Sequence, residues 1–162
     1  MPSLTDSARG LPLVSDLLSR CTFPHPSTAV DCAVSGGADS VTLMVLACAA
    51  NLNVTAWHID HGLRENSHTE AALVAQLATQ LGAQFESRTV TVEQGANTEA
   101  RAREARYDAL PQGVMTGHTA DDQAETILIN LLRGSGTRGL AGMQPTSQRP
   151  LLQLRRNETV AL

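Results

Sequence analysis

At 162 residues with 42% hydrophobic content, the chain suits one domain with a real core and leaves no room for a second full one. Its net charge of −4 argues against a protein that coats nucleic acid through bulk charge, so any RNA contact has to be a local patch. All twelve basic residues are arginine, which excludes a nucleotide carried on an enzyme lysine, and Phe23, Trp57, Phe85 and Tyr107 are too few aromatics for a base-stacking platform.

Cys21, Cys32 and Cys48 are widely spaced with no C-x-x-C, which disfavours zinc, iron–sulfur and redox-motif readings and suits a reducing cytosol. The N-terminus has no basic start followed by an apolar stretch, and no run approaches the ~18 apolar residues of a membrane span. These features describe a soluble, unexported, cytoplasmic protein with no membrane partner.

In chain order, Leu13, Val14, Leu17 and Leu18 fall at helical spacing over 11–21, and Pro24-His25-Pro26 breaks the pattern, so 1–26 is expected as a leading helix and linker. Val30 to Val34 form a first strand, and Val41 to Leu46 a buried helix. Val54 to Ile59 form a second strand, followed by a helix with its stripe at Val74, Leu77, Ala78 and Leu81, closed by Gly82. Phe85 to Val92 alternate as a third strand, a helix runs from Asn97 or Thr98 to about Leu110, and Val114-Met115-Thr116 is a short fourth strand. Thr119 opens a helix through Ile127, Leu128, Leu131 and Leu132, Arg149-Pro150-Leu151-Leu152 reads as a further strand, and Asn157-Glu158 cap a last turn ending at Leu162. An isolated turn is unstable because nucleation costs more than one hydrogen bond returns, so the sequence reads as cut short. Alternating strands and helices predict α/β architecture, a parallel sheet with helices on both faces, whose ligands bind at the carboxyl ends of the strands.

The polar clusters sit at those ends. Ser35-Gly36-Gly37-Ala38-Asp39-Ser40 joins the first strand to its helix, where glycines admit close backbone approach and helical N–H groups face an anion such as phosphate. The alternative is a tight turn capped by Ser35 or Ser40. Asp39 favours the anion site, because a carboxylate beside phosphate requires a cation between them, and Mg²⁺ suits both. The loop is neither G-x-x-x-x-G-K-[ST] nor G-x-G-x-x-G.

His61 and Arg64 follow the second strand, and Gly117 and His118 follow the fourth. His118, Asp121, Asp122 and Glu125 crowd one helix start. Asp122 and Glu125 share a face on which they can bind an ammonium group, hold Mg²⁺ or take a proton, although acids are ordinary in a first turn. Arg103 and Arg106 lie along one side of the preceding helix, where Glu99 with Arg103 also makes sense as a solvated ion pair. Arg133 and Arg138 flank Gly134 to Gly139, a loop with the composition of a lid, and read either as phosphate or RNA contacts or as solvent-facing side chains.

S-G-G-x-D-S resembles the pyrophosphate loop of the ATP pyrophosphatases. Together with HIDHGLRENS, NTEARAREARYDAL, TGHTADDQAETILINLLRGSGTRGLAGM and RPLL, it resembles the tRNA(Ile)-lysidine synthetase family over residues 28–156. That resemblance implies an adenine nucleotide alpha hydrolase-like, Rossmann-like PP-loop ATPase domain over 27–162, incomplete at its C-terminal end. It also implies an ATP-dependent ligase forming a carbon–nitrogen bond, which adenylates the wobble cytidine of tRNA(Ile) with anticodon CAU and then lets free lysine displace AMP.

By the same resemblance Ser35, Gly36, Gly37, Ala38, Asp39 and Ser40, with His61, Gly117 and His118, hold ATP, and Asp39 holds Mg²⁺. Asp122 and Glu125 take the lysine beside Arg103 or Arg106, while Arg64, Arg133 and Arg138 meet tRNA or pyrophosphate. A homodimer is compatible with the family. The rival expectations are a PP-loop tRNA thiolase, which needs paired cysteines, and a non-catalytic nucleotide-binding module or inactive truncated copy, which has no use for Asp122 with Glu125.

Overall fold

A computed structural model describes residues 4–60, 67–91, 98–136 and 141–162, without the side chains of Ser67, His68 and Glu99. Its elements are α1 (Leu4–Arg9), α2 (Pro12–Ser19), β1 (Ala29–Ala33), α3 (Ala38–Ala49), β2 (Asn53–Asp60), α4 (Ser67–Leu81), β3 (Gln84–Thr89), α5 (Thr98–Ala109), α6 (Ala120–Leu132) and α7 (Arg156–Val160). The strands form one parallel sheet in the order β1-β2-β3, with Ala33 opposite Trp57 and Trp57 opposite Glu86.

The expected fourth strand contracts to a single bridge, Met115 beside Cys32 on the edge of β1 away from β2. Two backbone hydrogen bonds hold it there, from Ala33 N to Met115 O at 2.9 Å and from Met115 N to Asp31 O at 2.8 Å. The chain therefore departs from β1 in both lateral directions, which creates the switch point where α/β sheets open a crevice.

One face of the sheet is apolar because alternate residues of β1 and β2, Cys32 and Val54 with Ala56, point the same way and are buried. α3 packs there on β1 and β2, and α4 on β2 and β3. Val14 and Leu17 of α2 complete the core together with Leu43, Met44, Leu46, Val74 and Ala78. On the other face Arg88 lies 4.6 Å over the Trp57 ring and donates from Nη1 to Ala109 O at 2.6 Å, tying α5 to that side. Helices thus cover both faces, as the alternation predicts. Among the described residues no helix is long and apolar enough to cross a membrane.

Two further expectations are corrected. Residues 149–152 form turns instead of a strand, with Leu152 N bonded to Arg149 O and Leu154 N to Leu151 O. Turning brings Leu151 and Leu154 onto one side, where both are fully buried, and an extended backbone would not do this. β3 stops at Thr89, while Val92 lies outside the described residues. The apolar stripe of α6 is exposed, Leu128, Leu131 and Leu132 at 57%, 56% and 86%, so this helix is positioned by polar contacts. α1, which the apolar spacing does not announce, is anchored by Thr5 Oγ1 donating to Leu81 O and by Arg9 donating to Cys48 O and Ala49 O.

The terminal turn α7 is held by distant partners that replace the stability it lacks alone. Arg20 forks onto Glu158 at 3.1 and 2.7 Å, Thr42 Oγ1 donates to Thr159 O at 2.9 Å, and Ala120 N donates to Leu154 O at 2.8 Å. The helix opens at Arg156, with Glu158 accepting from Arg155 N at 2.8 Å.

The Arg20 hydrogen bond, then that backbone N–H, hold the Glu158 carboxyl at about 2, against a small opposing effect of burial. A depressed folded-state value contributes stability that is complete above the ordinary value of 4.5 and is lost as pH falls from there toward 2. Melting temperature is expected to drop across that window by more in the wild type than in Glu158→Gln, modestly and less at high salt because the pair is solvent-screened. Parallel pH curves for the two proteins would remove this anchor.

Candidate functional site

The carboxyl ends of β1 and β2 and the segment after Met115 open into one cleft of about 840 Å³. Its walls include the whole loop Ser35 to Ser40, Asp60, Arg103, Arg106, Gly117, His118 and Asp122. Gly36 has φ +94, a conformation that a side chain resists, and Gly37 is the N-cap of α3. Ser40 Oγ closes the loop on itself, accepting from Ser35 N at 3.1 Å and donating to Gly37 O at 2.8 Å. The serines thus brace the turn, but neither caps α3, whose N-cap Gly37 has no side-chain cap hydrogen bond, so the capped-turn alternative is corrected. The result is a helix N-terminus behind a glycine turn, suited to phosphate.

Gly117 is placed by contact with this loop. A Cβ on it would lie 2.7 Å from Asp39 O and 2.9 Å from Asp39 C, so only glycine lets the segment after Met115 reach the first turn of α3. Next to it the His118 ring meets Thr116 Oγ1 at 2.7 Å. Burial lowers its titration, Asp122 opposes, and Arg103 and Arg149 add to the lowering, so the imidazole is neutral at pH 7.

Thr119 caps α6, and Asp122 answers it. Asp122 Oδ2 accepts from Thr119 N at 2.8 Å and from Thr119 Oγ1 at 2.9 Å, which leaves Oδ1 for another partner. Burial alone would raise this carboxyl, but the two Thr119 hydrogen bonds outweigh it, aided by the charge of Arg156, and hold it below the usual carboxylate range. Asp122 therefore serves the helix start with one oxygen, as first-turn acids do, and meets a cation of the chain itself with the other.

That cation is Arg156 of α7. Its Nη2 is 3.0 Å from Asp122 Oδ1, its Nη1 3.2 Å from Glu125 Oε1, and its Nε 3.7 Å from Asp39 Oδ2. Thr159 Oγ1 also donates to Asp39 Oδ1. Glu125 does not line the cleft and is 59% exposed, reaching the site edge through Arg156. On the opposite wall Arg103 lies 5.1 Å over the Tyr107 ring, beside Arg106.

Arg133 caps the far end of α6, on the order of 16 Å along the axis from Asp122, and does not line the cleft. His61, Arg64 and Arg138 lie outside the described residues. Trp57, Glu70, Tyr107 and Arg156 are site features that local pattern does not reveal. The one hint is that Trp57, inside β2, is the chain's single tryptophan.

Two groups are implied and can be tested against these residues. A nucleoside triphosphate fits a loop that offers backbone donors and glycines, with two arginines across the cleft. For Mg²⁺ the described residues contain no group of three or more ligating side chains, so Asp39 offers one carboxylate and phosphate or water must supply the other oxygens. A hard cation shared with a phosphate accepts that division.

A glycine loop at the switch point of a parallel sheet, with Asp39 and Asp122 beside it, places the chain in the α/β class whose sheets bind ligands at that point. The chain belongs to the PP-loop domain family, whose profile matches residues 13–162. It is 43% identical over 156 residues to a tRNA(Ile)-lysidine synthase of Novosphingobium aromaticivorans, covering 85% of this chain and 48% of that protein. A tRNA(Ile)-lysidine synthase of Nocardia farcinica is 44% identical over 147 residues, covering 85% and 46%. The chain thus spans about half the length of these curated relatives. Among solved structures, the U34-tRNA thiolase NcsA of Methanococcus maripaludis with its [4Fe-4S] cluster superposes with a TM-score of 0.68, covering 96% of this chain and 61% of that one at 16% identity, which shows a shared fold.

Proposed function

We propose that this chain carries the ATP-binding and ligase chemistry of tRNA(Ile)-lysidine synthesis, in a cytoplasmic setting, acting on tRNA(Ile) with anticodon CAU and free lysine. The observation that carries this reading is the convergence of Asp39, Asp122 and Glu125 on one guanidinium. One side chain spans from Asp39 of the glycine loop to the two carboxylates of α6, which supports a shared site for phosphate and amine.

The loop from Ser35 to Ser40 holds the triphosphate and leaves the α-phosphorus open to the wobble cytidine carbonyl oxygen. That oxygen bonds to phosphorus as the bond to pyrophosphate breaks. Asp39 would hold Mg²⁺, which would supply charge neutralisation at the phosphates. The lysine amine then bonds to the activated ring carbon and AMP leaves with the carbonyl oxygen. A free amine titrates near ~10.4, so Asp122 and Glu125 orient it as ammonium and accept its proton as it attacks. Arg103 and Arg106 face the phosphates, and neutral His118 is a hydrogen-bonding partner in place of a further positive charge.

A thiolase reading loses ground on the cysteines. Burial raises the Cys48 thiol to about 11 and the Cys32 thiol further, so both stay protonated. The decisive experiment is nucleoside mass spectrometry on a CAU-anticodon tRNA(Ile) transcript incubated with ATP, Mg²⁺ and lysine, using this chain and a form extended to the length of the relatives. A lysine-sized mass gain at the wobble cytidine is expected. ATP binding without pyrophosphate release or mass gain in either form would make this a non-catalytic nucleotide module.

A further inference from the structure

The Arg156 guanidinium lies where an incoming ammonium group has to bind. Asp122 has one oxygen to offer, because Oδ2 is committed to both Thr119 hydrogen bonds, and Arg156 Nη2 takes the remaining Oδ1 at 3.0 Å. Its Nη1 takes Glu125 Oε1 at 3.2 Å. Each of these oxygens can accept a second donor, but an ammonium group bound there would stand against the guanidinium charge, so the two cations compete for the same carboxylates.

Two further features show that the side chain is free to leave. Its fold position does not depend on its guanidinium: the Arg156 N–H donates to Asp121 Oδ2 at 2.7 Å, while Arg20 with Glu158 and Thr42 with Thr159 anchor α7. The Arg156 side chain is also 44% exposed, so water is available to receive it.

We propose that Arg156 is a resident cation that occupies the carboxylate subsite and withdraws when a primary ammonium ligand enters, making ligand affinity the outcome of a competition inside the chain. The identity of the ammonium as lysine rests on the function proposed above. The arrangement has a physical rationale, since Asp39, Asp122 and Glu125 repel one another unless a positive charge lies among them, and Arg156 supplies one until a ligand replaces it. Withdrawal also frees Asp39 from a competing charge at 3.7 Å when the phosphate-bound cation needs it.

The test is equilibrium dialysis of labelled L-lysine, with ATP and Mg²⁺ present, on wild type, Arg156→Gln and Arg156→Lys, with circular dichroism as the control for folding. Arg156→Gln is expected to bind lysine roughly fivefold or more tighter, and Arg156→Lys to stay near wild type because it restores the internal cation. Unchanged or weaker binding by folded Arg156→Gln would overturn the proposal and make the arginine a brace.

If no form binds lysine, the lysine reading fails, and titration with Mn²⁺ followed by electron paramagnetic resonance decides the competition separately. Tighter Mn²⁺ binding by Arg156→Gln supports an internal competitor for these carboxylates. Equal binding removes it.

Discussion

Gly117→Ala will lower stability by about 2–3 kcal/mol and abolish measurable nucleotide binding, the largest effect expected of any single methyl group in this chain. The added carbon would sit 2.7 Å from a backbone carbonyl oxygen and 2.9 Å from its carbon, and neither can swing aside as a flexible side chain does. α3 cannot retreat, because Leu43, Met44, Leu46 and Ala47 are fully buried on its far side. The segment after Met115 has to move instead, carrying His118 and the start of α6 away from the loop. Gly136→Ala is the control, since no atom lies within 4 Å of its would-be Cβ and it should melt like wild type. Thermal melts with calorimetric ATP titration would expose a benign Gly117→Ala, which would mean that the two segments do not need this approach.

Asp39→Asn is expected to reduce pyrophosphate release by roughly 10²–10³-fold while leaving the circular dichroism spectrum intact. The amide keeps an oxygen for the Thr159 hydroxyl, so the contact between α3 and α7 survives, but the negative charge that attracts a cation to the loop is gone. Asp39→Ala is a harsher probe because it also strips Thr159 of its acceptor. Pyrophosphate release at wild-type rates in Asp39→Asn would end the assignment of Asp39 to a metal.

What was readable in the chain divides by distance along it. The strand, glycine loop and helix over 29–49 were legible because apolar runs, glycines and a helix start lie within a few residues of each other. The Thr119 helix start was legible for the same reason. Arg156 was not, because its role comes from meeting Asp39 and Asp122 across more than thirty intervening residues, in a turn with no local stability. The Arg149 to Leu152 run misled because a short apolar run looks alike in an extended strand and in a tight turn, and only the core decides between them. The helix through Ile127 to Leu132 was legible, but what holds it was not: Thr119, Asp122 and Gln123, the last paired both ways with Met143, hold it by its polar start.

Trp57 is the chain's single tryptophan, it lines the cleft, and its ring is clamped between a hydrogen bond to Asp31 at 2.7 Å and the Arg88 guanidinium. All indole emission from this protein therefore originates at one wall of the site, so its colour and intensity report the polarity of that wall without contribution from elsewhere in the fold.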